Sequence, residues 1–141
     1  MPSSPGIAHN YHLSDRLVAL KNVLNTGHVL RLFKNNVVPD PSYTIAAFIE
    51  STFPGYAAVP LTGDFGDPVQ VANGQFQISG TSHQFSFTSG TVETAYGWYL
   101  TSTADNNVRF SFLFASPVFF TNGVVVYVQP IIQDWAYSVV P

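Results

Sequence analysis

The sequence predicts a mainly β protein, an antiparallel two-sheet sandwich of jelly-roll-like form with one or two short helices near its N-terminus. Three observations carry this. From Tyr56 onward apolar and polar residues alternate with period two in short runs. Those runs are separated by closely spaced Gly, Pro, Asn and Asp, the chemistry of hairpin turns. The chain has 141 residues and no cysteine, so it must hold itself by one core or by partner subunits rather than by disulfides or sulfur-bound zinc. A chain of that length buries about two-thirds of its unfolded surface, which suits a single domain.

Within that domain, residues 1–12 contain Pro2, Ser3, Ser4, Pro5 and Gly6 and are expected to form a flexible arm. Residues 13–55 are expected to be helical and extended. Leu13, Leu17, Leu20 and Leu24 recur at helical spacing, with Ser14 as N-cap and Gly27 as the stop. Residues 28–33 alternate as a strand, and Asp40, Pro41 and Ser42 punctuate the chain. Ile45, Phe48, Ile49 and Phe53 then have helical spacing up to Pro54-Gly55. Residues 56–141 are expected to hold the sandwich core. Its strand candidates are 57–61, 69–71, 75–78, 84–88, 91–101, 108–114, 117–120 and 124–137, with Asn73-Gly74 and Asn122-Gly123 as tight turns. Pro130 inside the last run marks an edge or a bend, because proline cannot donate to a ladder.

Charge is scarce. Charged residues make up 9% of the chain, against about 25% in ordinary soluble domains. After Pro68 only Glu93, Asp105, Arg109 and Asp134 are charged. Any exposed sheet face there consists of neutral polar residues, which suit being covered by another protein more than repelling one. Five Lys and Arg in total are too few for the electrostatics of nucleic-acid binding. No apolar run approaches the length of a membrane span, and the first residues lack the pattern of a secretory signal. The expectation is a soluble protein with neither nucleic acid nor membrane as partner.

Motifs of chemistry are few. His9, His12 and Asp15 have a helical spacing that suits metal ligation, yet His9 falls in the arm, and they are read as solvated residues. His28 and His83 are read as turn or interface residues. Asp64 and Asp67 in LTGDFGDPVQ are read as a structural loop, two acids being too few for a calcium cage. There is no nucleophile elbow, Walker loop or dinucleotide fingerprint. No catalytic residue, cofactor or metal site is therefore expected, and the chain is read as a non-enzyme.

Aromatic residues are the stronger signal. Along Val92, Thr94, Tyr96, Trp98 and Leu100 one strand face is apolar and is read as core. Phe119 and Phe120 are adjacent and cannot share a strand face, so one must lie outside the core. With Tyr99, Trp135 and Tyr137 they make more aromatics than one small sandwich hides. Tyr99, Phe119, Phe120, Trp135 and Tyr137 are the expected interface residues.

Two stretches add a resemblance. FIESTFPGYAAVPL (48–61) and VETAYGWYLTSTADNNVRFSFLFASPVFFTNGVVVYVQPII (92–132) resemble a family of small virion proteins of tailed bacteriophages. There, a pattern like F-x-E-A-T-F-x-G-Y-A precedes a β-rich half with a Y-G-[WY]-[YF]-[VL]-T strand. Glu50, Phe53, Gly55 and Tyr56 match the first motif, and Tyr96, Gly97, Trp98, Tyr99, Thr101, Arg109 and Phe110 match the second. The turn at residues 102–107 is longer and less acidic than the family's. The resemblance implies a head-decoration or tail-associated component with a β-sandwich core. The leading expectation is a capsid decoration or cement protein, made in the host cytoplasm and placed on the capsid surface. It would form a homotrimer and stabilise the shell by binding the major capsid protein or other virion subunits. The alternative expectation is a carbohydrate-binding, receptor-recognition module at a tail tip or fibre. Exposed aromatics along an intersubunit seam favour the first, and aromatics lining a concave groove the second.

Overall fold

The computed structural model of the protein describes residues 10–135. Among them it is mainly β, with antiparallel sheets and one α-helix. The elements are α1 (Asn10–Leu24), β1 (Thr26–Phe33), a 3-10 turn (Ile45–Ala47), β2 (Val59–Thr62), β3 (Val69–Ala72), β4 (Gln75–Ser79), β5 (His83–Ser86), β6 (Glu93–Ser102), β7 (Val108–Phe120), β8 (Val125–Val128) and β9 (Ile131–Trp135). They cluster into two compact units.

The first unit contains α1 and a three-stranded sheet in the order β3-β4-β9. The helix starts at Asn10, not at Ser14 as expected, and the residues expected to extend the arm to position 12 are partly helical. Its extra turn places Leu13 in one buried row with Leu17 and Leu24, so packing overrides the Ser14 cap. The row faces β4 and β9, where Ile78 and Ile132 are buried. At its last turn Lys21 pairs with Asp67 at 2.6 Å, which complements the negative end of the helix. Asn25 then bridges residue 65 twice, donating through Nδ2 to the Phe65 carbonyl and accepting the Phe65 N–H at Oδ1.

The second unit contains a four-stranded sheet, β2-β1-β6-β7, and a two-stranded ladder, β5-β8. Most of β1 is interior to the larger sheet, so the β core is not confined to residues 56–141. β1 and β6 pair from His28↔Ser102 to Phe33↔Gly97 without interruption. The pairing of β6 with β7 shifts twice. One shift leaves Arg109 as an extra residue between Leu100↔Phe110 and Thr101↔Val108, and the other falls between Ala95↔Val118 and Gly97↔Leu113. That second irregularity joins the expected strands 108–114 and 117–120 into one element.

The expected helix over Ile45–Phe53 is replaced by the 3-10 turn and an extended segment. Residues 49–51 pair with the end of β1: the Lys34 N–H donates to the Ile49 carbonyl, and the Ser51 N–H to that of Leu32. An edge ladder satisfies these backbone groups, while Phe48 and Phe53 still bury their rings. The long run after Val124 splits into β8 and β9 around Pro130, the bend that proline predicts. In the turns at Asn73-Gly74 and Asn122-Gly123 only the glycine takes positive φ.

Gly97 is the tightest point of this unit. A Cβ there would collide with the Phe112 carbonyl oxygen and fall 2.6 Å from the Phe33 ring. Gly97→Ala should therefore cost about 3 kcal/mol or more in denaturant unfolding. Gly123→Ala, at a positive-φ turn with no atom within 4 Å of the added carbon, should cost about 1–2 kcal/mol. Equal losses at the two positions would show that the Phe33 contact does not constrain β6.

Candidate functional site

The candidate site is a cleft in the second unit, and it begins with aromatic packing. Phe33 of β1 and Tyr99 of β6 carry Phe48 between them, with ring centroids 5.1 Å and 4.9 Å away. The Phe48 and Tyr99 rings are stacked within 14°, a contact that adds about 0.5–1.5 kcal/mol beyond the area buried. Tyr43 meets the edge of Phe48 at 6.2 Å.

A polar network fixes the segment that delivers Phe48. Arg31 Nη1 donates to both carboxylate oxygens of Glu50, at 2.9 and 3.0 Å, and its Nε donates to Thr101 Oγ1 at 3.1 Å. The Tyr56 hydroxyl donates to Glu50 Oε2 at 2.8 Å and accepts the Leu32 N–H at 3.2 Å. On the other side, Asn35 donates to the Ala47 carbonyl and accepts the Ile49 N–H. Glu50 and Arg31 together thus tie β1, β6 and the 49–56 segment into one frame. Lys34 and Glu93 extend it by converging on Thr52.

Beside this frame lies an open cleft of about 350 Å³. It is lined by Pro39, Pro41, Tyr43 and Phe48 and, from β7, by Val108 and Phe110, with the extra residue Arg109 among them. Bulges of this kind re-aim side chains and recur beside binding sites. Asp40 and Ser111 complete the polar lining. Asp40 Oδ1 accepts the N–H and the hydroxyl of Ser42, and these bonds hold its carboxyl below the usual carboxylate range. Arg109 Nη2 donates to Asp105 Oδ2 at 2.8 Å. Among the described residues, Asp40 Oδ2 and the Nη1 and Nε of Arg109 hold no partner.

The expected interface residues divide. Tyr99 is 1% exposed and Phe120 0%, so both are corrected to core: Tyr99 stacks on Phe48, and Phe120 stacks on Phe53 at 4.1 Å. Phe119 is 56% exposed, as strand alternation requires once Phe120 is buried. Trp135 ends β9, and its side chain, like Tyr137, lies outside the described residues. The side chains of His9 and His12 also lie outside them. His28 is buried within β1 rather than placed in a turn. Asp64 serves the loop expected of it, accepting the hydroxyl of Thr81 at 2.6 Å and its N–H at 3.2 Å. Among the described residues no cluster of three His, Asp or Glu side chains is placed to hold a metal ion, and no helix is long and apolar enough to cross a membrane.

Sequence reasoning missed the cleft. Asp40-Pro41-Ser42 was legible as a turn and Arg109 as the end of a strand motif, but only the fold brings them to one place. In comparisons with known proteins, no family model, curated protein or solved structure matches this chain.

Two tyrosines report on the frame. Burial, and then the charge of Glu50, push Tyr99 up to about 12 against the partial opposition of Arg31. Tyr56 is pushed up further, by burial and by its hydrogen bond to Glu50. Because the unfolded chain releases these protons near the ordinary value of 10, the stabilisation is complete below that pH. Above it, stability should fall by about 1.4 kcal/mol per pH unit for Tyr99 up to about pH 12. Denaturant midpoints across this range should show the fall, and Tyr99→Phe should reduce it; a flat profile would contradict the assignment.

Proposed function

We propose that the chain is a structural subunit of a bacteriophage particle, a capsid decoration or cement protein that forms homotrimers and stabilises the assembled shell. The observation that carries this reading is β7. It is a 13-residue strand at the end of its sheet, Arg109 is its one charged residue, and Phe112 and Phe119 are 53% and 56% exposed. Monomers that must stay apart blunt such an edge with lysines, proline or bulges, or cover it; β7 carries Pro117 and two register irregularities but no lysine. A strand left this long and neutral suits pairing with another chain, the binding mode in which main-chain bonds supply affinity.

The sheet's two ends allow a trimer. Contact of β7 with β7 would be self-complementary and close a dimer, whereas contact of β7 with the opposite end at β2 is head-to-tail and closes a ring where its rotation permits, three copies in this proposal. The bond to the shell acts by mass action, because a subunit that binds only assembled shell lowers the free energy of that state. The motif resemblance supplies the bacteriophage setting. Within the second unit, Phe53 stacks on Phe120 of the larger sheet and packs on Phe87, while Tyr56 stacks on Phe85 of the smaller one. These aromatics support a two-sheet, jelly-roll-like sandwich as the architecture of that unit.

Sedimentation equilibrium is the first test. The wild-type chain should sediment with the mass of three copies, and Phe119→Lys should shift it to monomer while its far-ultraviolet circular dichroism stays unchanged. Particles carrying Phe119→Lys should open at a lower temperature than wild-type particles. A wild-type chain that remains monomeric at every concentration, with particles indifferent to the substitution, would refute the assignment.

A further inference from the structure

We infer that the cleft between residues 39–43 and the start of β7 is a binding site for one neutral sugar ring, a site additional to the assembly surface. Its chemistry matches that ligand from two sides. A pyranose has an apolar face of C–H groups and a rim of hydroxyls, each both donor and acceptor. The cleft offers an apolar lining from Phe48, Pro41 and Phe110, with Tyr43 39% exposed beside it as an aromatic surface. Aromatic rings of this amphipathic kind bind ligands that are apolar on one side and wet on the other.

The rim is equally matched. Asp40 presents an ionised oxygen that only accepts, and Arg109 presents two groups that only donate. Neighbouring hydroxyls can donate to the first and accept from the second, giving charge-assisted bonds at both. Both groups are already oriented: Ser42 holds Asp40, and Asp105 holds Arg109. Little side-chain freedom is then lost on binding.

Charge separates a sugar from an anion. The lining carries one carboxylate and one guanidinium, and that guanidinium already pairs with Asp105. The sum leaves no excess positive field to hold phosphate, which separates a sugar from an anionic ligand. Size agrees, since about 350 Å³ lies at the lower end of small-molecule sites. That is room for a single ring with its substituents, not for an extended oligosaccharide.

The test uses the full chain labelled with nitrogen-15. It is titrated separately with the methyl glycosides of glucose, galactose and mannose, with N-acetylglucosamine, and with inorganic phosphate. At least one of the four sugars should give saturable amide shifts at residues 40–43 and 109–111, with Kd of about 1–10 mM. Tyr43→Ala and Arg109→Gln should each weaken that sugar about tenfold while the remaining resonances keep their positions. Should Tyr43→Ala lose its fold, Tyr43→Leu keeps an apolar residue without the ring and should weaken binding likewise. Absence of saturable shifts with all four sugars overturns the inference. So do shifts located elsewhere, insensitivity to both substitutions, or phosphate binding more tightly than every sugar. The outcome does not depend on the trimer: a monomeric chain that binds sugar removes the assembly reading alone, and a trimer that ignores all four removes this one alone.

Discussion

The Phe33 ring lies where a side chain at residue 97 would begin, and the second unit is arranged around that close approach. Glycine in a strand interior ordinarily weakens it, because it fills no space and loses more backbone entropy on folding than other residues. Here its lack of a Cβ lets an aromatic ring from the neighbouring strand lie over the backbone. Phe33, Phe48 and Tyr99 then form one buried cluster. Of these three rings, Phe48 also lines the cleft.

The cluster alone would not hold Phe48, which lies in an irregular segment just after the 3-10 turn. Irregular backbone can be kept near a core only if its polar groups are satisfied. The end of β1 does this with main-chain bonds to residues 49 and 51, and Asn35 does it for residues 47 and 49. Glu50 adds direction, because its carboxylate collects Arg31 from β1 and Tyr56 from its own segment. A half-buried ion pair of this kind contributes little net stability by charge alone. Its effect is to leave the segment one position in which Phe48 meets Tyr99.

What the sequence made legible follows the same physics. Strands with regular alternation and turns with glycine were readable because those signals are local: β1, β3, β4 and β6 lie close to their expected ranges. The segment 45–53 was misread because its apolar spacing fits a helix, while its fate was decided by an open ladder position on β1. Tyr99 was assigned to a surface because alternation along β6 identifies only one covered face. The structure covers both faces there, the second by Phe48 from a segment whose conformation was itself misassigned. Errors of this kind are coupled, since placing Phe48 wrongly leaves Tyr99 without a neighbour.

The scarcity of charge has opposite consequences at the two ends of β7. Toward Phe119 it leaves an edge with exposed apolar rings and no lysine, broken at Pro117 by a residue that cannot donate to a further ladder. Near Val108 the one charged residue of the strand sits on the bulge, held by Asp105 and facing an aromatic-lined cleft. Set on the bulge, Arg109 is outside the regular register of β6 and β7. The bulge therefore lets one strand keep a neutral edge along most of its length and still present a charged group to solvent at its start. The proposed assembly contact and the inferred sugar site therefore draw on different stretches of the same strand.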